Sequence, residues 1–388
     1  MRRTIEFLDK MSDMYGDGFY ILYNNKIKAI YSAFLNAFSN EYCNCQIAYS
    51  LKTCFIPGLL RKLHELGSWA EVTSEYEYSL ARSLGFNENQ IIYNGPYKQM
   101  ELAVNLAIKG GITNIDSMEE AIRFCECAQG RKLQVGIRCN YLVDGRSSRF
   151  GVNIENGELD HVINFLLSHG IEVQGLMCHI KTKTLEDWKR KTSILVEVAK
   201  SMDLEYIDVG GGYQFDTDMF VDYAKVISKE LGDLKERGIK LILEPGAAIC
   251  EGTMDYIAKV VNTNLIRNTK YVTVAGTVFD ISAIRKRPPG AVIAVCNEKI
   301  RKTVRPEKVT IAGFTCLEDD IIIDEFETDL YVGDYLIFEN VGAYASSLRP
   351  EFIRGYPAII TCEENDVLTV ERYKAPINQL GVIFEDNR

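Results

Sequence analysis

Histidine and tryptophan are scarce in this chain, with four and two copies among 388 residues. So few imidazoles argue against a histidine-rich metal centre, and the cysteines do not make up the deficit. Cys43 with Cys45 and Cys125 with Cys127 are spaced C-x-C, not the C-x-x-C of a zinc site. The eleven cysteines also lack the even, regular spacing of a disulfide framework, which points to free thiols in a reducing cytoplasm. Long apolar runs are missing: none reaches the ~18 residues of a membrane-crossing helix. Behind Arg2 and Arg3 comes Thr4-Ile5-Glu6 rather than an apolar stretch, so no secretion signal is expected. Positive charge is in deficit as well. Lysine and arginine total 44 against 54 aspartates and glutamates, a net charge of −10 that argues against a general nucleic-acid surface.

What is present is the balance of a globular protein, 47% hydrophobic and 25% charged. The length exceeds one minimal core and fits two or three domains, or a barrel with an appendage. Between residues 46 and 244, short β-prone runs alternate with longer amphipathic stretches. The runs are 46–51, 69–72, 90–93, 113–115, 133–137, 173–178, 204–208 and 240–243. Helical stretches between them include 57–65, 75–84, 99–108, 118–128 and 185–201. Asp116-Ser117 ahead of Met118-Glu119-Glu120 supplies a helix cap with acidic residues in the first turn. Eight strands each followed by a helix predict a (β/α)8 barrel. A doubly wound open sheet is the competing fold, but the near-regular units show no reversal, which favours closure.

Beyond residue 256 the pattern changes. Runs at 271–278, 291–295, 309–311, 335–338, 358–361 and 367–370 are β-prone and separated by turn residues such as Gly333-Asp334. The expected division is a barrel over 25–255 and an all-β domain made of 256–388 with 1–24, the latter including a strand at 19–22.

In a barrel the reactive groups lie at the C-terminal ends of the strands. The first run ends in Lys52, whose amine in a partly dry pocket would be nucleophilic, although a strand-end lysine often simply reaches solvent. The sixth ends in Cys178-His179-Ile180, the seventh in Gly210-Gly211-Gly212 and the eighth in Glu244-Pro245-Gly246. Three consecutive glycines let backbone N–H groups approach a phosphate closely, more than a structural turn needs. His179 could equally be a rim histidine, and Glu244 a charged end before a tight turn. Taken together, a lysine, a flat ring, a phosphate cradle and a carboxylate are the inventory for pyridoxal 5′-phosphate.

With these residues in place, the chain resembles the fold-type III pyridoxal phosphate-dependent decarboxylases, the group of diaminopimelate and eukaryotic-type ornithine decarboxylases. The resemblance runs from Phe19-Tyr20-Ile21-Leu22-Tyr23 to Gly342-Ala343-Tyr344. It implies an alanine racemase-like barrel with a C-terminal β-domain. Tyr49-Ser50-Leu51-Lys52 matches the segment carrying the cofactor-bonding lysine, and Glu71 stands where the family has an acidic residue near the cofactor. Cys178-His179-Ile180-Lys181-Thr182 resembles C-H-[IV]-G-S, so His179 is expected to stack on the ring, with Thr182 in the serine's place. Gly210, Gly211, Gly212, Glu244 and Gly246 complete the cofactor set, together with Tyr344 on the phosphate. Cys316, within Thr315-Cys316-Leu317-Glu318-Asp319-Asp320, matches the family cysteine that enters the partner subunit's site and protonates the product. A buried inert thiol and a hairpin aromatic are the plainer readings of Cys316 and Tyr344.

Three departures bear on substrate. Ala247 replaces the arginine of E-P-G-R, and Lys181 replaces a glycine and is expected to restore the missing charge. Leu317 stands where the family has the acid that receives a substrate's distal amine, leaving a buried ammonium unpaired at a cost of several kcal/mol. Glu318 is the neighbour that could substitute. The resemblance implies decarboxylation of an amino acid, here one that is less cationic or carrier-linked and belongs to a specialised biosynthesis, by a cytoplasmic head-to-tail homodimer. An amino-acid racemase and a non-catalytic decarboxylase-like binding protein are the alternatives; Glu244 opposes the former, and the presence of Lys52 and Cys316 opposes the latter.

Overall fold

The computed structural model describes residues 3–282, 291–297 and 306–373. The chain divides into two compact units, one of residues 28–55 and 60–249, the other of residues 1–27, 56–59 and 250–388.

In the first unit, eight parallel strands close into a barrel. In chain order they are Cys45–Ser50, Trp69–Val72, Ile91–Tyr93, Ile112–Ile115, Leu133–Asn140, Ile171–Met177, Tyr206–Asp208 and Lys240–Leu243. Leu241 pairs with Cys45, and Asn114 pairs with Gly136, so both flanks of the eight-stranded sheet are joined. Each of the eight sequence runs becomes one of these strands. A further two-residue strand, Val152–Asn153, pairs beside Leu133–Asn140 and carries too short an apolar signal to be read in advance.

Helices return the chain between strands, and their starts are fixed by side chains. Ser117 accepts from the Glu120 N–H at the head of Met118–Ala128. Thr184 and Asp187 cap Leu185–Ala199 reciprocally, satisfying backbone donors that the first turn would leave bare. Inside the barrel, Ala48, Ile92, Ile112, Tyr206 and Ile242 pack together, with Trp69 against them. Burying each isoleucine there contributes about 1.5–3 kcal/mol.

The second unit is β-rich. Gly18–Tyr23 lies between Met254–Ile266, antiparallel to it, and Ala358–Cys362, parallel to it. Its core gathers Phe19, Ile21, Ile257, Ile337 and Ile360, with Leu8 and Met11 from the helix Ile5–Tyr15. That helix was not anticipated, nor were the strands Met254–Ile266 and Ile321–Thr328. The first of these strands is buried over its first half and mostly exposed over its second, so no single period marks it. Among the described residues, no helix is long and apolar enough to cross a membrane.

Candidate active site

The first barrel strand delivers Ser50 and, two residues on, Lys52. The Lys52 ammonium donates to Ser50 Oγ and to Glu71 Oε2, each at 2.6 Å, and Ser50 Oγ donates to the same glutamate oxygen at 2.5 Å. Glu71 is next to last in the neighbouring strand, and parallel pairing of Ser50 with Glu71 brings the two together. Burial works to lower the amine's pKa, but Glu71 and Glu244 outweigh it and hold the group above an ordinary lysine. Burial likewise works to raise the Glu71 carboxyl. Lys52, Ser50 and Asn94 overcome it and keep the pKa low, so this is an ion pair at neutral pH.

On its other oxygen, Glu71 accepts from Asn94 Nδ2 at 3.2 Å, and the same amide nitrogen donates to Glu244 Oε1 at 2.6 Å. Glu244, at the end of the eighth strand, faces Asp208 at the end of the seventh. Asp208 Oδ1 accepts from the Gly210 N–H at 2.7 Å, while Oδ2 is buried with no hydrogen-bond partner among the described residues. Burial is the main reason the Asp208 carboxyl rises to about 7, and burial with repulsion from Asp208 and Glu71 drives Glu244 well above the carboxylate range. Two such groups side by side resist carrying two charges.

The three glycines follow Asp208 and Val209. A Cβ on Gly210 would stand 2.5 Å from the Cys178 carbonyl, and one on Gly211 would stand 2.4 Å from the Glu244 carbonyl. Gly212 has φ +109°, outside the range of ordinary side chains. Thr182 Oγ1 would lie 3.5 Å from a Cβ there, and it too is buried with no hydrogen-bond partner among the described residues. The half-buried His179 accepts the Gly211 N–H on Nδ1 at 3.1 Å, which leaves the ring proton on Nε2. Burial, then Lys52, Lys191 and Arg138, push its pKa well below 6.5, so it is a neutral flat ring. At Gly246, a Cβ would meet Thr53 Oγ1 at 2.1 Å.

Lys181 is exposed, and it is not the cation buried behind the glycines. That cation is Lys191, which sequence reasoning missed. Its Nζ donates to the Val209 carbonyl at 2.9 Å and stands 3.4 Å from the centroid of the Trp188 ring. Burial brings its pKa down to about 8 against the pull of Cys178, Asp208 and Glu244. The available signal was a lysine on the buried stripe of Trp188, Thr192 and Leu195 at helical spacing.

The remaining expected residues belong to the β-rich unit. Cys316 and Glu318 are exposed, and Leu317 is half-buried. Asp320 ties their loop down, accepting from Thr315 Oγ1, the Thr315 N–H, Thr277 Oγ1 and the Val278 N–H at 2.6–3.2 Å. Tyr344 sits at φ 63°, a left-handed backbone that costs a tyrosine about 1–2 kcal/mol.

In the barrel unit the donor set fits pyridoxal 5′-phosphate. An amine, a neutral ring, a buried carboxyl pair, an orphaned hydroxyl and glycine N–H groups lie at the strand ends where a side chain on the glycines would clash. Residues 25–251 match the family described as "Pyridoxal-dependent decarboxylase, pyridoxal binding domain". Diaminopimelate decarboxylase of Methanothermobacter thermautotrophicus is 27% identical, over 92% of this chain and 89% of that protein. Its counterpart in Aquifex aeolicus is 25% identical, over 94% and 91%. Among solved structures, diaminopimelate decarboxylase of M. jannaschii in complex with L-lysine superposes with a TM-score of 0.85 at 24% identity, covering 97% of this chain and 93% of that one. The comparisons favour neither the racemase nor the non-catalytic alternative. The matched segment holds more than half of the chain, Lys52 to Glu244 included, and the chain belongs to the pyridoxal-dependent decarboxylases: it is a pyridoxal 5′-phosphate-dependent amino-acid carboxy-lyase.

Proposed function

We propose that Lys52 is the residue that bonds the cofactor aldehyde, in a barrel of residues 25–255 completed by the β-domain of residues 1–24 and 256–388. The carrying observation is the Lys52 ammonium held 2.6 Å from Glu71 Oε2, an ion pair that fixes the amine at the strand ends where His179 and the glycines lie. His179 offers a neutral face for the ring. Thr182 Oγ1 and the N–H groups of Gly210, Gly211 and Gly212 hold the phosphate, with Gly246 and Tyr344 beside it. Glu244 pairs with the ring nitrogen. The chemistry supplied by the bound cofactor is an electron sink for the pair left at the substrate's α-carbon as CO2 departs. Cys316 Sγ delivers the proton to that carbon. Purified protein given pyridoxal phosphate should show the visible absorbance of a lysine adduct, and Lys52→Ala should abolish it; an unchanged spectrum would refute the assignment.

The substrate reading is an amino acid without a distal ammonium, free or carrier-linked and drawn from a specialised biosynthesis. Leu317 supports it, since leucine offers no acceptor and the Asp320 carboxylate in the same loop already takes four donors. Glu318 is an exposed acid in the same loop. Comparing CO2 release from diaminopimelate and from amino acids with uncharged ends tests this; faster turnover of diaminopimelate would overturn it. Head-to-tail pairing in the cytoplasm completes the proposal. It is supported by the exposed Cys316, which can reach another chain. Mixing Lys52→Ala with Cys316→Ala chains should then restore part of the activity; heterodimers without activity would contradict a shared site.

A further inference from the structure

A directional chain of hydrogen bonds runs behind the carboxylates. Tyr206 Oη donates to Asn114 Oδ1 at 2.8 Å, and Asn114 Nδ2 donates to Asn94 Oδ1 at 2.9 Å. Asn94 Nδ2 then splits between Glu71 and Glu244. All five residues are at most 3% exposed. Their orientation is forced. Glu71, ionised by its pairing with Lys52, only accepts, so the Asn94 nitrogen must face the glutamates and its oxygen must face Asn114, whose own oxygen is left for the phenol.

The backbone is cleared for this arrangement. A Cβ on Gly136 would stand 2.0 Å from both Asn114 Oδ1 and Tyr206 Oη, and one on Gly175 would fall 2.3–2.4 Å from the Tyr206 ring. Two neighbouring strands thus lack side chains at the very positions where the phenol meets the amide. A barrel interior filled only for packing would put apolar side chains there.

We infer that Asn94, aligned by Asn114 and Tyr206, is a positioning residue that holds Glu71 and Glu244 in register, so that the lysine's carboxylate and the ring's carboxylate keep fixed places on the cofactor. The inference rests on the proposed cofactor site. One amide bridging both acids offsets the repulsion between them, a task no apolar residue can perform. The charged and titratable groups around the bridge are Lys52, Lys191 and the neutral His179 on one side, Glu71, Glu77, Glu244 and Asp208 on the acidic side, and the Tyr206 phenol with Glu205 near it.

Asn94→Asp keeps the shape but can donate only while protonated. Cofactor affinity of the full chain, titrated by the adduct absorbance, should fall on the order of 100-fold at about pH 9 and recover to within about tenfold of the wild type near pH 6. Tyr206→Phe, which removes only the upstream donor, should weaken affinity about fivefold at every pH. An Asn94→Asp affinity equal to the wild type throughout, or reduced equally at all pH values, overturns the inference. If Asn94→Asp does not fold, Tyr206→Phe decides, and an unchanged affinity overturns it. Lys52→Ala separates the two levels: adduct absorbance surviving in that variant sinks the site reading and this inference with it, whereas its loss beside a wild-type-like Asn94→Asp sinks the relay alone.

Discussion

Two lysine–glutamate pairs stand in the same barrel and are nearly alike in length. Lys98 meets Glu120 at 2.9 and 3.0 Å and also donates to the Gly95 carbonyl at 2.7 Å, so all three of its ammonium hydrogens are committed. Lys52 meets Glu71 at 2.6 Å. The first lysine side chain is 0% exposed and the second 43%, while both glutamates are 2% exposed. Burial wins at Lys98 and lowers its pKa, whereas the carboxylates win at Lys52 and raise it. Distance therefore does not tell a structural pair from a chemical one. What differs is access from outside, and whether the carboxylate has further partners that a ligand would share.

The largest test of that contrast is Lys52→Ala, which should lower CO2 release by at least ~10⁴-fold. Lys98→Ala should act on stability instead. It leaves Glu120 buried without its cation and should cost about 3–5 kcal/mol in urea unfolding, most of it recovered by Lys98→Met with Glu120→Gln. Asp208 comes next. Its carboxyl stands at about 7 in the folded chain against an ordinary 3.8, so the folded state binds more protons between those values. The Asp208 contribution to stability, complete below about pH 4, should therefore be lost as pH climbs through about 7, and Asp208→Asn should remove about 2–4 kcal/mol of that decline in pH-dependent denaturation of the cofactor-free protein. Smallest is Leu317→Asp, expected to shift kcat/KM about tenfold towards substrates bearing a distal ammonium. A preference that does not move would dissociate Leu317 from substrate choice.

Much of the barrel was legible because each strand is a short apolar run bounded by turn residues, and each strand end shows its chemistry in the open. Lys52, His179, the three glycines and Glu244 could be read that way. Asn94 could not, since Asn94-Gly95 reads as a turn, and Tyr206 reads as an ordinary core aromatic in a strand. Their meeting depends on barrel closure, a long-range event that no local period records. Lys191 was hidden for the same reason, because only the packed helix shows what its amine faces. In the β-rich unit, Cys316 carries no local signal at all, and resemblance alone drew attention to it. Met254–Ile266 escaped because its two halves obey different solvent environments.

The four donors gathered on Asp320 have a consequence for encounters between chains. A surface segment already braced by one carboxylate has surrendered its freedom during folding, at about 1–2 kcal/mol per residue. In the proposed pairing it would meet a second chain with little left to order, and the affinity of that meeting would not be drained by immobilising the thiol it presents.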